Sequence, residues 1–145
     1  MKRIVAIAGA LALCLVLGAC SGGDSSDNAG GGEAPEAQAT IEYAVAEGVD
    51  EYAQGDLRGA SYRVSVPSQA TEDELEGVFA DVTAGDGFDV HTVWFYSDER
   101  LADGSEAFDV ASAVQDAPGG EPVLVLASEE AKAAGQKALA AKEDS

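Results

Sequence analysis

Residues 71–96 constrain the fold of this 145-residue chain more than any other stretch. Thr71-Glu72-Asp73-Glu74 has the form of a capping box. The threonine hydroxyl can accept from the N–H three residues on, and the glutamate can reach back to the threonine N–H. The three acids also fall where a helix dipole favours negative charge. Leu75, Val78, Phe79 and Val82 follow at i, i+3, i+4 and i+7, one apolar stripe that Gly85 and Gly87 bring to an end. The spacing predicts a helix over 71–84 that must lie on an apolar surface. Phe88–Tyr96 (FDVHTVWFY), rich in β-branched and aromatic residues, is the expected central strand of that surface. Val93 and Phe95 share the face that meets the helix. Val90, Trp94 and Tyr96 share the other, which is expected to be partly open to solvent.

Around this centre the apolar period is two. Ile41, Tyr43 and Val45 alternate with Glu42, Ala44 and Ala46; Tyr62, Val64 and Val66 alternate with Ser61, Arg63 and Ser65 before Pro67 stops the run. Between them, Gly48–Gly59 reads as a break, so the two strands are expected to pair as an antiparallel hairpin. A fourth strand is expected over Ala107–Val114, with Phe108, Val110 and Val114 on one face, closed by an Asp116–Gly120 turn. Pro122–Leu126 (PVLVL) is a short apolar edge strand or extended segment. Ser128 then opens a helix whose only sizeable apolar side chain is Leu139, so it should be frayed or loosely docked. The expected fold is α+β: a two-layer β-β-α-β-β sandwich, with a four- to five-stranded, mostly antiparallel sheet, one main helix on one face and a weak C-terminal helix. Should the second and third strands run parallel, the helix between them makes a right-handed crossover. The place of the fourth strand in the sheet is left open.

The first nineteen residues have a different character. Lys2 and Arg3 precede an apolar run, Ile4–Leu17, too short to span roughly 30 Å of hydrocarbon comfortably but long enough for a signal peptide. The run ends in Leu17-Gly18-Ala19-Cys20, which resembles the lipobox of bacterial lipoproteins. That resemblance implies diacylglycerol on the Cys20 sulfur and cleavage after Ala19. It places the chain on the cell membrane or outer membrane, facing the extracytoplasmic side. Two acyl chains suffice for stable anchoring where one does not. Cys14 leaves with the leader, so Cys20 is the only thiol of the processed chain and no intrachain disulfide can form. Residues 20–39 are rich in Gly, Ser, Asp and Ala, without apolar periodicity, and read as a flexible tether. The expected organisation is a signal peptide over 1–19, lipidated Cys20 and linker over 20–39, an α+β domain over 40–120, and a C-terminal extended segment and helix over 121–145.

Within the domain, Tyr43–Glu47, Arg58 with Tyr62-Arg63-Val64-Ser65-Val66-Pro67, Thr71–Leu75, Val93-Trp94-Phe95-Tyr96 and Ala117-Pro118-Gly119-Gly120 occur in that order. This resembles a family of small uncharacterised bacterial lipoprotein and secreted domains, marked by an R…YRVxVP segment, a TxxxL helix, an aromatic FY strand and an APxG turn. The likeness covers about Ile41 to Gly120 and supports the order β-β-α-β-β. It implies no activity.

Charge excludes one class of partner. Formal net charge is −19, and residues 20–145 hold all 27 acids against six basic residues. Such a surface repels phosphate backbones, so nucleic acid is not expected as a partner; the acidity reads first as a source of solubility or an adaptation to a saline habitat, and its functional reading is an envelope protein or a cationic partner. A single histidine, His91, rules out a multi-histidine metal site. No Gly-x-Ser-x-Gly elbow supplies a nucleophile, and no Lys-Ser or Lys-Thr follows the glycines at 119–120 to make a phosphate loop. Asp98, Asp103 and Asp109 lack calcium-loop spacing. No catalytic residue, metal or cofactor is therefore expected. The candidate contact patch is Tyr62, Trp94 and Tyr96. The favoured function is a membrane-anchored, non-enzymatic binding or accessory module. The alternative is a small hydrolase or metal-dependent enzyme using acidic residues and His91.

Overall fold

The Thr71 capping box forms as the spacing requires. In the computed structural model, which describes residues 39–144, Thr71 Oγ1 accepts from Glu74 N at 3.3 Å and Glu74 Oε2 accepts from Thr71 N at 2.8 Å. They open helix α1, Glu72–Thr83. The expected leader, Cys20 and nearly all of the linker lie outside the described residues. Among the described residues there are six strands: β1 (Ala44–Val45), β2 (Asp50–Gln54), β3 (Leu57–Ser65), β4 (Val90–Tyr96), β5 (Ala111–Gln115) and β6 (Val123–Leu126). A second helix, α2, spans Glu129–Glu143. The architecture is the expected α+β sandwich, with the sheet in the order β1-β3-β4-β5-β6 and β2 also paired with β3.

The centre of the sheet is parallel. β3 and β4 pair over seven positions, from Gly59↔Val90 to Ser65↔Tyr96, with α1 in the connection. All other pairings are antiparallel. One face buries Ala60, Tyr62, Val64, Val93, Phe95, Ala111 and Ala113 against Leu75, Val78 and Phe79 of α1. On the opposite face Tyr96 packs with Leu101 and Ala102, joined by Trp94, Phe108, Ala138 and Leu139.

Three expectations need correction. The Gly48–Gly59 stretch is not simply a break, because β2 lies within it. β2 forms a hairpin with β3 around Gly55, whose φ of +63° suits glycine in the tight turn. The first expected strand shrinks to the two residues of β1, paired to Val64 and Ser65, so β1 and β2 share one edge of β3. The fourth strand begins at Ala111, not Ala107. Val110 joins the helix-side core, Phe108 packs on the opposite side, and Val114 is exposed. Small Ala111 and Ala113 take the core-facing positions there, leaving room for the Phe95 ring.

α2 is a mostly exposed helix, with Gly135 its one buried residue, and it is tied to the domain at a few named points. Its Ser128 N-cap accepts from Ala131 N at 3.2 Å, and Lys142 Nζ donates to Asp103 at 2.6 Å. Gly135 is buried because it sits on Asp109, itself fixed by accepting Ser97 N at 2.8 Å. A Cβ on Gly135 would lie 2.7 Å from the Asp109 Cβ, closer than such atoms approach. Gly135→Ala should therefore cost about 1–3 kcal/mol through overpacking, even though alanine is the better helix former. Limited proteolysis should then cut within 129–143 much faster while β4 amides stay protected. Equal protease resistance in the variant would show that this contact does not hold α2.

Candidate functional site

His91, the sole histidine, lies on β4 on the α1 side of the sheet, 6 % exposed. Its ring stands edge-on to Phe79, with centroids 6.3 Å apart. Nε2 meets the Asp86 carboxylate at 3.0 and 3.1 Å, and Nδ1 meets Gln115 Oε1 at 2.6 Å. Gln115 Nε2 donates to Gly120 O at 2.6 Å, which leaves its Oε1 to accept from the ring. Both imidazole nitrogens thus face side-chain partners within the fold, which fix the orientation of the ring.

Asp86 is the hub. Gly85 and Gly87 on either side have φ of +66° and +83°, and the turn they permit lets the carboxylate accept Phe88 N at 3.0 Å. It also accepts the Tyr62 hydroxyl at 2.6 Å. Burial pulls the Asp86 carboxyl upward, but the Tyr62 hydroxyl, the Phe88 N–H and His91 together outweigh it and hold it below the ordinary carboxylate range. Burial, then the bond to Asp86, raises the Tyr62 phenol well above its usual value. At the neighbouring α1 position, burial and the hydrogen bond from Tyr43 to Asp81 push the Tyr43 phenol up to about 12. In chemical terms the Tyr62–Asp86–His91–Gln115 chain is a clamp joining β3, the α1–β4 turn, β4 and β5.

The residues expected to form an aromatic patch do not share a surface. Tyr62 is buried on the α1 side. Trp94 and Tyr96 lie on the other side, where Tyr96 is 3 % exposed and donates to Glu106 O at 3.3 Å. Trp94 is half-buried, with the Arg63 guanidinium 5.8 Å over its ring and Arg63 in turn ion-paired to Asp50. The Trp94–Tyr96 side is largely closed by the 97–110 segment and α2.

A different surface is open. β6 ends the sheet, and Val123, Val125 and Leu126 are 64, 53 and 51 % exposed. Beside it a shallow cleft of about 540 Å³ opens between Glu76, Phe79, Ala80 and Thr83 of α1 and Gln115, Glu121 and Pro122 on the far wall. Gln115 belongs to both places: its amide holds His91 and faces the cleft. The apolar PVLVL run signalled this edge in the sequence, but Asp86 and Gln115 carried no recognisable motif.

Among the described residues, no group of three or more His, Cys, Asp or Glu side chains is placed to hold a metal ion. Nor is any helix among them long and apolar enough to cross a membrane. No protein-family model, curated protein sequence or solved structure matches this chain.

Proposed function

We propose that this chain is a lipid-anchored binding module of the bacterial cell envelope, held by acyl chains on Cys20 and presenting its α+β domain on a tether. A flexible linker of the length of residues 20–39 reaches about 25 Å, enough to stand the domain clear of head groups. The observation that carries the binding role is the β6 edge. Sheet edges are ordinarily blunted by lysine, bulges or covering segments, because unpaired backbone groups beside apolar side chains recruit other chains. Here three large aliphatic residues stand exposed on an end strand that contains no charge. Such a surface is costly to leave in water and marks an interaction site.

Two measurements test the two halves of this proposal. Cys20→Ser should move the protein from the membrane fraction to the aqueous fraction of lysed cells; continued membrane fractionation would overturn the anchor. A photo-crosslinking amino acid at position 123 should give a discrete adduct in intact cells. Its absence, with position 125 equally silent, would overturn the binding role.

A further inference from the structure

Resting on that binding role, we infer that β6 and the α1 cleft together receive an extended, cationic polypeptide segment, which adds to the sheet as a seventh strand. Three observations converge on this occupant. The first is the direction of the β6 backbone. Ala127 N donates to Val110 O at 2.8 Å, and antiparallel ladders alternate inward and outward groups. Leu124 and Leu126, three and one residues earlier, therefore turn their N–H and C=O groups away from β5, ready for a further strand.

The second is the shape beside that edge. Residues of an added strand would point alternately to the two faces of the sheet. On the α1 side they meet the cleft between Phe79, Ala80 and Pro122. On the other side they lie along Val123, Val125 and Val114, all exposed and, by the pairings Val114↔Val123 and Ser112↔Val125, on one face. A strand with small apolar side chains fits both.

The third is charge. Neither residues 64–99 nor residues 101–131 contain a single lysine or arginine, so both walls of the cleft are acid-only. Glu76 and Glu121 lie on the cleft itself, and both are exposed. Five of the six basic side chains within 39–144 already pair with acids elsewhere: Arg58 with Glu51, Arg63 with Asp50, Arg100 with Asp98, Lys132 with Glu129 and Lys142 with Asp103. A lysine- or arginine-bearing strand is complementary to this edge. A second copy of this chain would bring the same acid-only edge against itself.

The test uses full-length protein in neutral detergent and a capped ten-residue peptide alternating valine with lysine, against the same peptide with glutamate for lysine. The lysine peptide should bind, shift the Leu124 and Leu126 amide resonances, and weaken as salt is raised, while the glutamate peptide binds at least about tenfold less tightly. Leu126→Pro removes one outward N–H at an exposed edge position without touching the β5 ladder, and should weaken binding about fivefold or more. The double variant E76Q and E121Q leaves the backbone intact and should weaken it about tenfold. Equal binding of the two peptides, or unchanged binding in both variants, overturns the inference. So does a concentration-dependent dimer that Leu126→Pro abolishes, since a second copy would then be the occupant. An adduct at position 123 that survives all these variants would leave the binding role standing while removing this mode of docking.

Discussion

Phe95→Ala should remove about 3–5 kcal/mol of folding stability, the range for deleting a fully buried aromatic ring. Phe95 is completely buried where the elements converge: it pairs with Val64 on β3 and Ala111 on β5, and its side chain belongs to the cluster that packs with α1. The neighbours facing it on β5 are alanines, which have no flexible side chains to swing into the void, so the cavity should persist. A domain of this size has total stability of about 5–15 kcal/mol, so the loss is a large share of the whole. Urea unfolding should show a lower midpoint at an unchanged slope, and the thermal midpoint should fall by at least about 12 °C. A loss under about 1 kcal/mol would mean that the core is not organised around this ring.

Asp86→Ala should cost about 3 kcal/mol by a different route. One carboxylate accepts from Tyr62, Phe88 N and His91, and its removal leaves three donors without their acceptor at a partly buried site. The effect carries a pH signature. A carboxyl whose folded pKa lies below its unfolded value of about 3.9 stabilises the protein above that value, and the contribution drains away as pH falls through the folded pKa. The gap between parent and variant should therefore be steady near neutrality and narrow below about pH 4. A gap that holds constant through acid would show that the charge on Asp86 does not matter, only its shape.

The parts legible in the sequence were those in which one local rule decides the outcome. The Thr71 box, the stripe from Leu75 to Val82 and the β4 alternation each carry their own signal, and each appears where the pattern puts it. β2 had no such signal. In DEYAQ only Tyr52 is half-buried, lying over Gly59, so an exposed edge strand shows no alternation to read. The start of β5 was hidden because its core positions are alanines, while the larger Phe108 and Val110 just before it suggested a strand that does not form. How α2 docks was not legible because one of its contacts is a glycine against a buried aspartate, made by the absence of a side chain. The clamp was invisible for a related reason. Asp86 stands in a glycine turn typical of a solvated loop, and only the parallel return of β4 beside β3 brings it to Tyr62 and His91. The β6 edge was seen as apolar, but its exposure depends on what lies beyond it, which no local pattern encodes.

The parallel seam between β3 and β4 sets the order in which the chain can assemble. β2 with β3, and β4 with β5 and β6, pair antiparallel with their neighbours along the chain and can zip up by themselves. The seam cannot, because its two strands run the same way and are separated by the whole helix, so closing it means drawing together a long loop before any ladder bond rewards the effort. Assembly is thus two ready-made ribbons waiting on a single joining step, with α1 as the splint.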